Sequence, residues 1–213
     1  MESFSDRLLR EHSDLWRDMQ FHPLVTGIEK QQLPPGIFNR YLAYESDFVA
    51  TAVDIFTLAV LYAPDMQRKR RMIRGLYALT ETQISWFNSK LEKRGISRED
   101  YYPAPAGVSR FSDWMAETAR QGSYSDIILI MFGAEWMYYH WCHRVARQPS
   151  EDEDIREWVD MHAAEEFYSQ ACWLKAEVDR LGELCSEAEK QQLSLLYGQV
   201  LQREIDFHHA AFG

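Results

Sequence analysis

Apolar side chains recur three and four positions apart along almost the whole chain, and the interruptions fall at proline, glycine and helix-capping residues. A chain patterned this way can bury its apolar stripes only by packing helix on helix, so the spacing predicts an all-α fold. The first helix is expected over 4–19, with Leu8, Leu9, Leu15, Trp16 and Met19 on its buried side, ending near His22-Pro23. A second starts at Pro34-Pro35, where proline in the first turn forfeits no needed hydrogen bond, and runs to about Tyr62. Pro64 separates it from a third that ends at Gly95. A short helix over 109–120 follows, then an apolar one over 123–147 opened by Ser123 with Asp126. A helix over 151–182 has an acidic first turn, and Ser186 with Glu189 opens the last. The sum is a compact bundle of about seven to eight helices. The stretch 96–108, with Pro103, Pro105 and Gly107, is the one substantial loop and is placed to rim a pocket.

The 213 residues, 46% of them hydrophobic, suffice for one core and point to a single domain over 1–213. A net charge of -10 opposes general attraction to nucleic acid or to an anionic membrane surface. The basic run Arg68-Lys69-Arg70-Arg71 with Arg74 reads as a solvated helix face. Cys142, Cys172 and Cys185 form neither an even disulfide framework nor a metal-type pair, which suits a reducing compartment. No apolar run approaches the length of a membrane span and the amino terminus lacks signal-peptide features, so a cytoplasmic protein is expected.

Against this apolar background a few acids and histidines stand out. Glu135 follows the run Ile127 to Ala134 and precedes Tyr138 and Tyr139 on one helix face. A carboxylate buried there costs several kcal/mol unless it is paired or protonated, so it calls for a hydrogen-bond network or a ligand. Glu45 repeats the pattern one turn before Phe48, a pairing of acid and ring that suits a heteroaromatic with an exocyclic amine. Glu204 and His208, spaced i and i+4, share a face of the last helix, and His162 is read as sharing one with Glu165 and Glu166. Carboxylates plus histidines also raise a di-iron alternative, but the chain contains no Glu-x-x-His, and no metal is expected.

The segments Phe21-His22-Pro23-Leu24-Val25-x-Gly27-Ile28, Leu33-Pro34 with Phe38-x-x-Tyr41-Leu42, Tyr44-Glu45-Ser46, Pro103-x-Pro105, Trp136-Met137-Tyr138-Tyr139 and Glu204 resemble, in order and spacing, the TenA family of thiaminase II enzymes. The resemblance spans nearly the whole chain. It implies a haem-oxygenase-like bundle that binds no haem and needs no cofactor, acts on a small-molecule pyrimidine and assembles as a homo-oligomer, a dimer or tetramer. Residue by residue, Glu45 stands where family members hold a pyrimidine-gripping aspartate and Phe48 where they hold a stacking tyrosine. Tyr138 matches a tyrosine near the nucleophile, and Glu204 the catalytic glutamate. The chain departs at the nucleophilic cysteine, which corresponds to Ala134, and at a later tyrosine, which corresponds to His162. The tyrosine of the proline loop is replaced by Arg110 or Phe111.

The resemblance therefore implies the class in which a glutamate takes over from the cysteine, with Glu135 as nucleophile or general base. The reaction it implies is hydrolysis of an aminomethyl- or formylaminomethyl-pyrimidine in thiamin salvage, with Glu204 as the acid. Two neighbouring carboxylates in a poorly solvated site cannot both ionise easily, and Glu204 is the one expected to hold its proton. Two other readings stay open. Glu135 and His162 also resemble ligand positions of haem-oxygenase-like di-iron oxidases, and His162 with His208 resembles the metal-free oxidase that completes pyrroloquinoline quinone. The third is a non-catalytic pyrimidine-binding or regulatory protein.

Overall fold

The computed structural model describes residues 2–213. Among them the secondary structure is entirely helical, with eleven α-helices, one π-helical segment and one short 3-10 turn. The all-α class is as expected, but the count of seven to eight helices is too low. The expected 4–19 helix is broken at His12 into α1 (Phe4–Glu11) and α2 (Ser13–Gln20), and His22-Pro23 starts a further helix, α3 (Pro23–Glu29). There the His22 ring nitrogen Nδ1 accepts from Leu24 N, so an imidazole serves as the cap. The expected third helix is divided into α5 (Met66–Tyr77) and α6 (Ile84–Arg94) by a π-helical stretch, Ala78–Gln83. The expected 151–182 helix is divided at Ala164 into α9 (Glu153–Ala163) and α10 (Glu165–Leu184).

Other boundaries fall where the local chemistry puts them. Gly95 ends α6 in the left-handed conformation (φ 63°), and Ile96 N closes back on Leu91 O at 2.9 Å. Ser123 and Asp126 form the reciprocal cap that starts α8 (Tyr124–Val145), and Ser186 with Glu189 does the same for α11 (Glu187–Ala210). Asp152 opens α9 by accepting from Asp154 N and Ile155 N.

The residues gather into two compact units. The first joins Met1–Leu33 to Ile128–Ile205, and in it α1 packs on α10 and α9 on α10. Its interior is rich in aromatics, including the fully buried Trp141, Trp158, Tyr197 and Phe132. The second joins Pro34–Ile127 to Asp206–Gly213 and is organised by α4 (Pro35–Tyr62), against which α5, α6 and α7 (Ala106–Gln121) pack. No helix among the described residues is long and apolar enough to cross a membrane.

Candidate functional site

In the second unit α4 carries Glu45, 8% exposed, one turn before the half-buried Phe48. The Phe48 ring lies 4.6 Å from Phe111 on α7 and 6.2 Å from Phe207 near the end of α11, and Phe111 and Phe207 are 5.0 Å apart. Aromatic pairs at these separations add about 0.5–1.5 kcal/mol each beyond their burial, so the three rings form a stiff wall. Gly107 permits it: a Cβ there would sit 2.8 Å from the Asp206 carbonyl oxygen, which lets α7 approach the α11 backbone and sets Phe111 against Phe207. The fully buried Tyr41 and His208 rings face each other at 5.4 Å.

The proline segment expected to rim a pocket is fastened to the α4 turn that holds Glu45. Arg98 Nε donates to Ser46 Oγ at 3.1 Å and pairs with Asp47 at 3.0 Å. Tyr102 bonds Asp47 as well; burial first, and then that bond, push its phenol above the usual range. Tyr44 meets the edges of Tyr101 and Tyr102 at 6.4 and 6.5 Å. Both neighbours of Glu45 in sequence, Tyr44 and Ser46, are therefore engaged by this segment.

In the first unit α8 carries Glu135 one turn before the buried Tyr138. Glu135 is half-buried rather than enclosed, although its Oε2 is shielded from solvent. The Tyr138 and His162 rings are 5.5 Å apart, and His162 also lies 4.1 Å from Trp158 and 5.0 Å from Phe167. Trp141 stacks behind Trp158 at 5.2 Å. His162 is 6% exposed and its Nδ1 lies 2.8 Å from Trp158 O. Burial lowers its pKa to about 4, against the opposing effect of that hydrogen bond, so the ring is neutral near pH 7. The expected shared face of His162 with Glu165 and Glu166 is not formed. Ala164 is extended (ψ 155°), and the two acids start the next helix.

Glu204 on α11 is 1% exposed. α8 and α11 meet closely at Gly133, where a Cβ would lie 2.7 Å from Val200 Cγ1. That point is two residues from Glu135 and one turn from Glu204, so the helices bearing the two acids are in contact. Cys142, two turns beyond Ala134 on α8, is fully buried and in no disulfide. Among the described residues no group of three or more His, Cys, Asp or Glu side chains could hold a metal ion.

The structure thus brings Phe48 to Phe111 and Tyr138 to His162. Sequence reasoning passed over Phe207, Trp141 and Trp158 as site-forming rings. Phe207 was within reach, because it follows Glu204 by three positions on the same helix face.

Comparisons with known proteins agree with the all-helical fold. The chain is 24% identical over 214 residues to an aminopyrimidine aminohydrolase of Halalkalibacterium halodurans, covering 99% of this chain and 96% of the relative. It is 22% identical to a probable bifunctional TENA-E protein of Glycine max, covering 96% and 91%. A crystal structure of a TenA homologue from Pyrococcus furiosus superposes with a TM-score of 0.90 at 20% identity, covering 98% of this chain and 99% of that one, which establishes the shared fold. The family model described as TENA/THI-4/PQQC matches residues 9–212, and the chain belongs to that family.

Proposed function

We propose that the protein is an aminopyrimidine hydrolase of the thiaminase II kind that works with carboxylates and no thiol. The observation that carries this reading is the meeting of α8 and α11 at Gly133 and Val200, with Glu135 and the buried Glu204 flanking the contact; the resemblance adds that Ala134 corresponds to the family cysteine. The names of the bacterial relatives support aminopyrimidine hydrolysis, and the soybean relative is named as a TENA-E protein. The match over 9–212 supports reading 1–213 as one TenA-like domain.

In this reading Glu135 acts as general base or as nucleophile at the methylene attached to the ring. As base, it takes a proton from water, whose oxygen bonds to the methylene carbon while the C–N bond breaks. Glu204 gives its proton to the departing nitrogen. An aminomethyl-pyrimidine plus water yields a hydroxymethyl-pyrimidine plus ammonia, and the two carboxyl groups exchange protons with solvent to reset. Glu45 accepts from the exocyclic amine and Phe48 with Phe111 stacks on the ring, and Tyr138 and His162 are the other residues proposed to bind the substrate.

A second copy of the chain is the partner assigned to the outer face of α4 and α5. Leu61, Tyr62, Met66, Ile73 and Tyr77 are all exposed there within seventeen positions, Tyr77 by 67%. Apolar exposure concentrated this way suits an interface better than open water, and it supports a homo-oligomer.

Incubation with aminomethyl- and formylaminomethyl-pyrimidines, followed by mass spectrometry, tests the reaction. The hydroxymethyl product should appear, and Ala134→Cys is not required for turnover. Binding without product in every case would leave a pyrimidine-binding protein and refute the hydrolase.

A further inference from the structure

The outward stripe of α5 continues into the π-helical segment as Arg70, Ile73, Arg74, Tyr77, Ala78 and Glu81, all exposed. The opposite face of α5 is fixed on its own unit. Met72 is fully buried there, and Gly75 has no side chain to hold the helix off the Phe56 ring of α4. The stripe therefore cannot turn inward, and its own chain leaves it uncovered. Its charges are uncompensated as well: among the described residues the side chains of Arg70, Arg74 and Glu81 make no ion pair or hydrogen bond within the chain. Arg70 and Arg74, four positions apart on a helix, repel each other. Acidic residues outnumber basic ones by 33 to 23 in this chain, so two neighbouring cations left without an acid are a local cost that a partner surface can remove.

Resting on the homo-oligomer reading of this face, we propose that two copies join with α5 antiparallel to α5, about a two-fold axis that passes between Gly75 and Leu76. In a two-fold contact residue i meets j while j meets i, so every facing pair must straddle the same point of the chain. Three complementary pairs straddle this one: Arg70 with the partner's Glu81, Arg74 with the partner's Tyr77, and Ile73 with the partner's Ala78. The first is an ion pair, the second sets a guanidinium over an aromatic face, and the third seats a branched side chain on a small one. One register thus gives both arginines an opposite number and sets no like charges face to face. A contact centred on Met72 instead would set Arg70 against the partner's Arg74.

The two registers respond to salt with opposite signs, because screening weakens attraction and relieves repulsion. Sedimentation of the full chain over a dilution series, at about 0.05 M and about 0.5 M sodium chloride, reads that sign. The assembly should come apart at about threefold or more higher protein concentration in the stronger salt. Arg70→Glu and Glu81→Arg should each weaken association by about 10-fold or more, and the two together should restore it to within about threefold of wild type. Circular dichroism checks that each variant keeps its helices, and the double variant controls for any damage the single changes do to the fold. Association that tightens with salt, or a double variant no better than the single ones, overturns the register. Dissociation in Ile73→Glu with Tyr77→Glu would in that case still leave this face as the interface. A wild-type chain that is monomeric at both salt concentrations overturns the homo-oligomer reading and this inference with it.

Discussion

At the scale of the residue, His162 shows how burial and one hydrogen bond set the character of a side chain. Its pKa is lowered from 6.5 to about 4 in the folded protein. The unfolded chain therefore takes up a proton on acidification before the native state does. Stability should fall as the pH drops from about 6.5 towards 4, by up to about 3 kcal/mol from this group, and level off where the native ring protonates as well. Urea unfolding at pH 7 and pH 4.5 measures the slope, and His162→Phe should remove its share; an unchanged slope in the variant would contradict the assignment. The helix break that separates His162 from Glu165 was hidden in the sequence. Ala163 and Ala164 are good helix formers, and only tertiary packing turns Ala164 into an extended joint. The burial of Glu45 was legible from its apolar neighbours, whereas the burial of Glu204, set between Arg203 and Asp206, was not, and the partial exposure of Glu135 depends on what lies over α8, which periodicity does not report.

At the scale of the element, two glycines govern how closely helices approach. Gly107→Ala would push a methyl against the Asp206 carbonyl, and backbone cannot rotate away as a side chain can. The expected cost is about 1–3 kcal/mol, read by thermal or urea unfolding, with loss of the Phe48–Phe111–Phe207 arrangement. A melting point unchanged from wild type would show that α7 and α11 have room to spare. The segment after α6 behaves as a strap on α4, held by Arg98 and Tyr102 through Asp47. Arg98→Ala should raise amide exchange over 96–105 while leaving the middle of α4 protected; equal exchange in both proteins would mean the strap is held elsewhere. Proline and glycine made this segment visible in the sequence as a loop. The residues that fasten it were not visible, because Asp47 and Arg98 are distant in sequence and read alone as ordinary surface charges.

At the scale of the whole molecule, the chain carries a net charge of -10 yet exposes a basic, apolar helix at α5. Met66, Ile73 and Tyr77, spaced seven and four apart, look in sequence like a buried stripe. The structure turns Met72 inward and leaves those three outside, so periodicity identified a helix without identifying its inner face. If the exposed face joins copies of the chain, Ile73→Glu with Tyr77→Glu should lower the mass measured by light scattering at micromolar concentration to that of a monomer. An unchanged mass would move the interface to another face. The family, the all-α class and the acid-bearing helices were legible from short segments in order, while the number of helices and the aromatic walls required the folded chain.

The central claim is that a carboxylate at Glu135 replaces the thiol of the family in breaking the C–N bond. The most direct measurement compares wild type with Glu135→Gln for turnover of aminomethyl-pyrimidine by mass spectrometry and for binding of the hydroxymethyl product by calorimetry. The account predicts turnover reduced by about 10³-fold or more with product affinity within a fewfold of wild type. Turnover retained in Glu135→Gln would contradict it and place the chemistry on another residue.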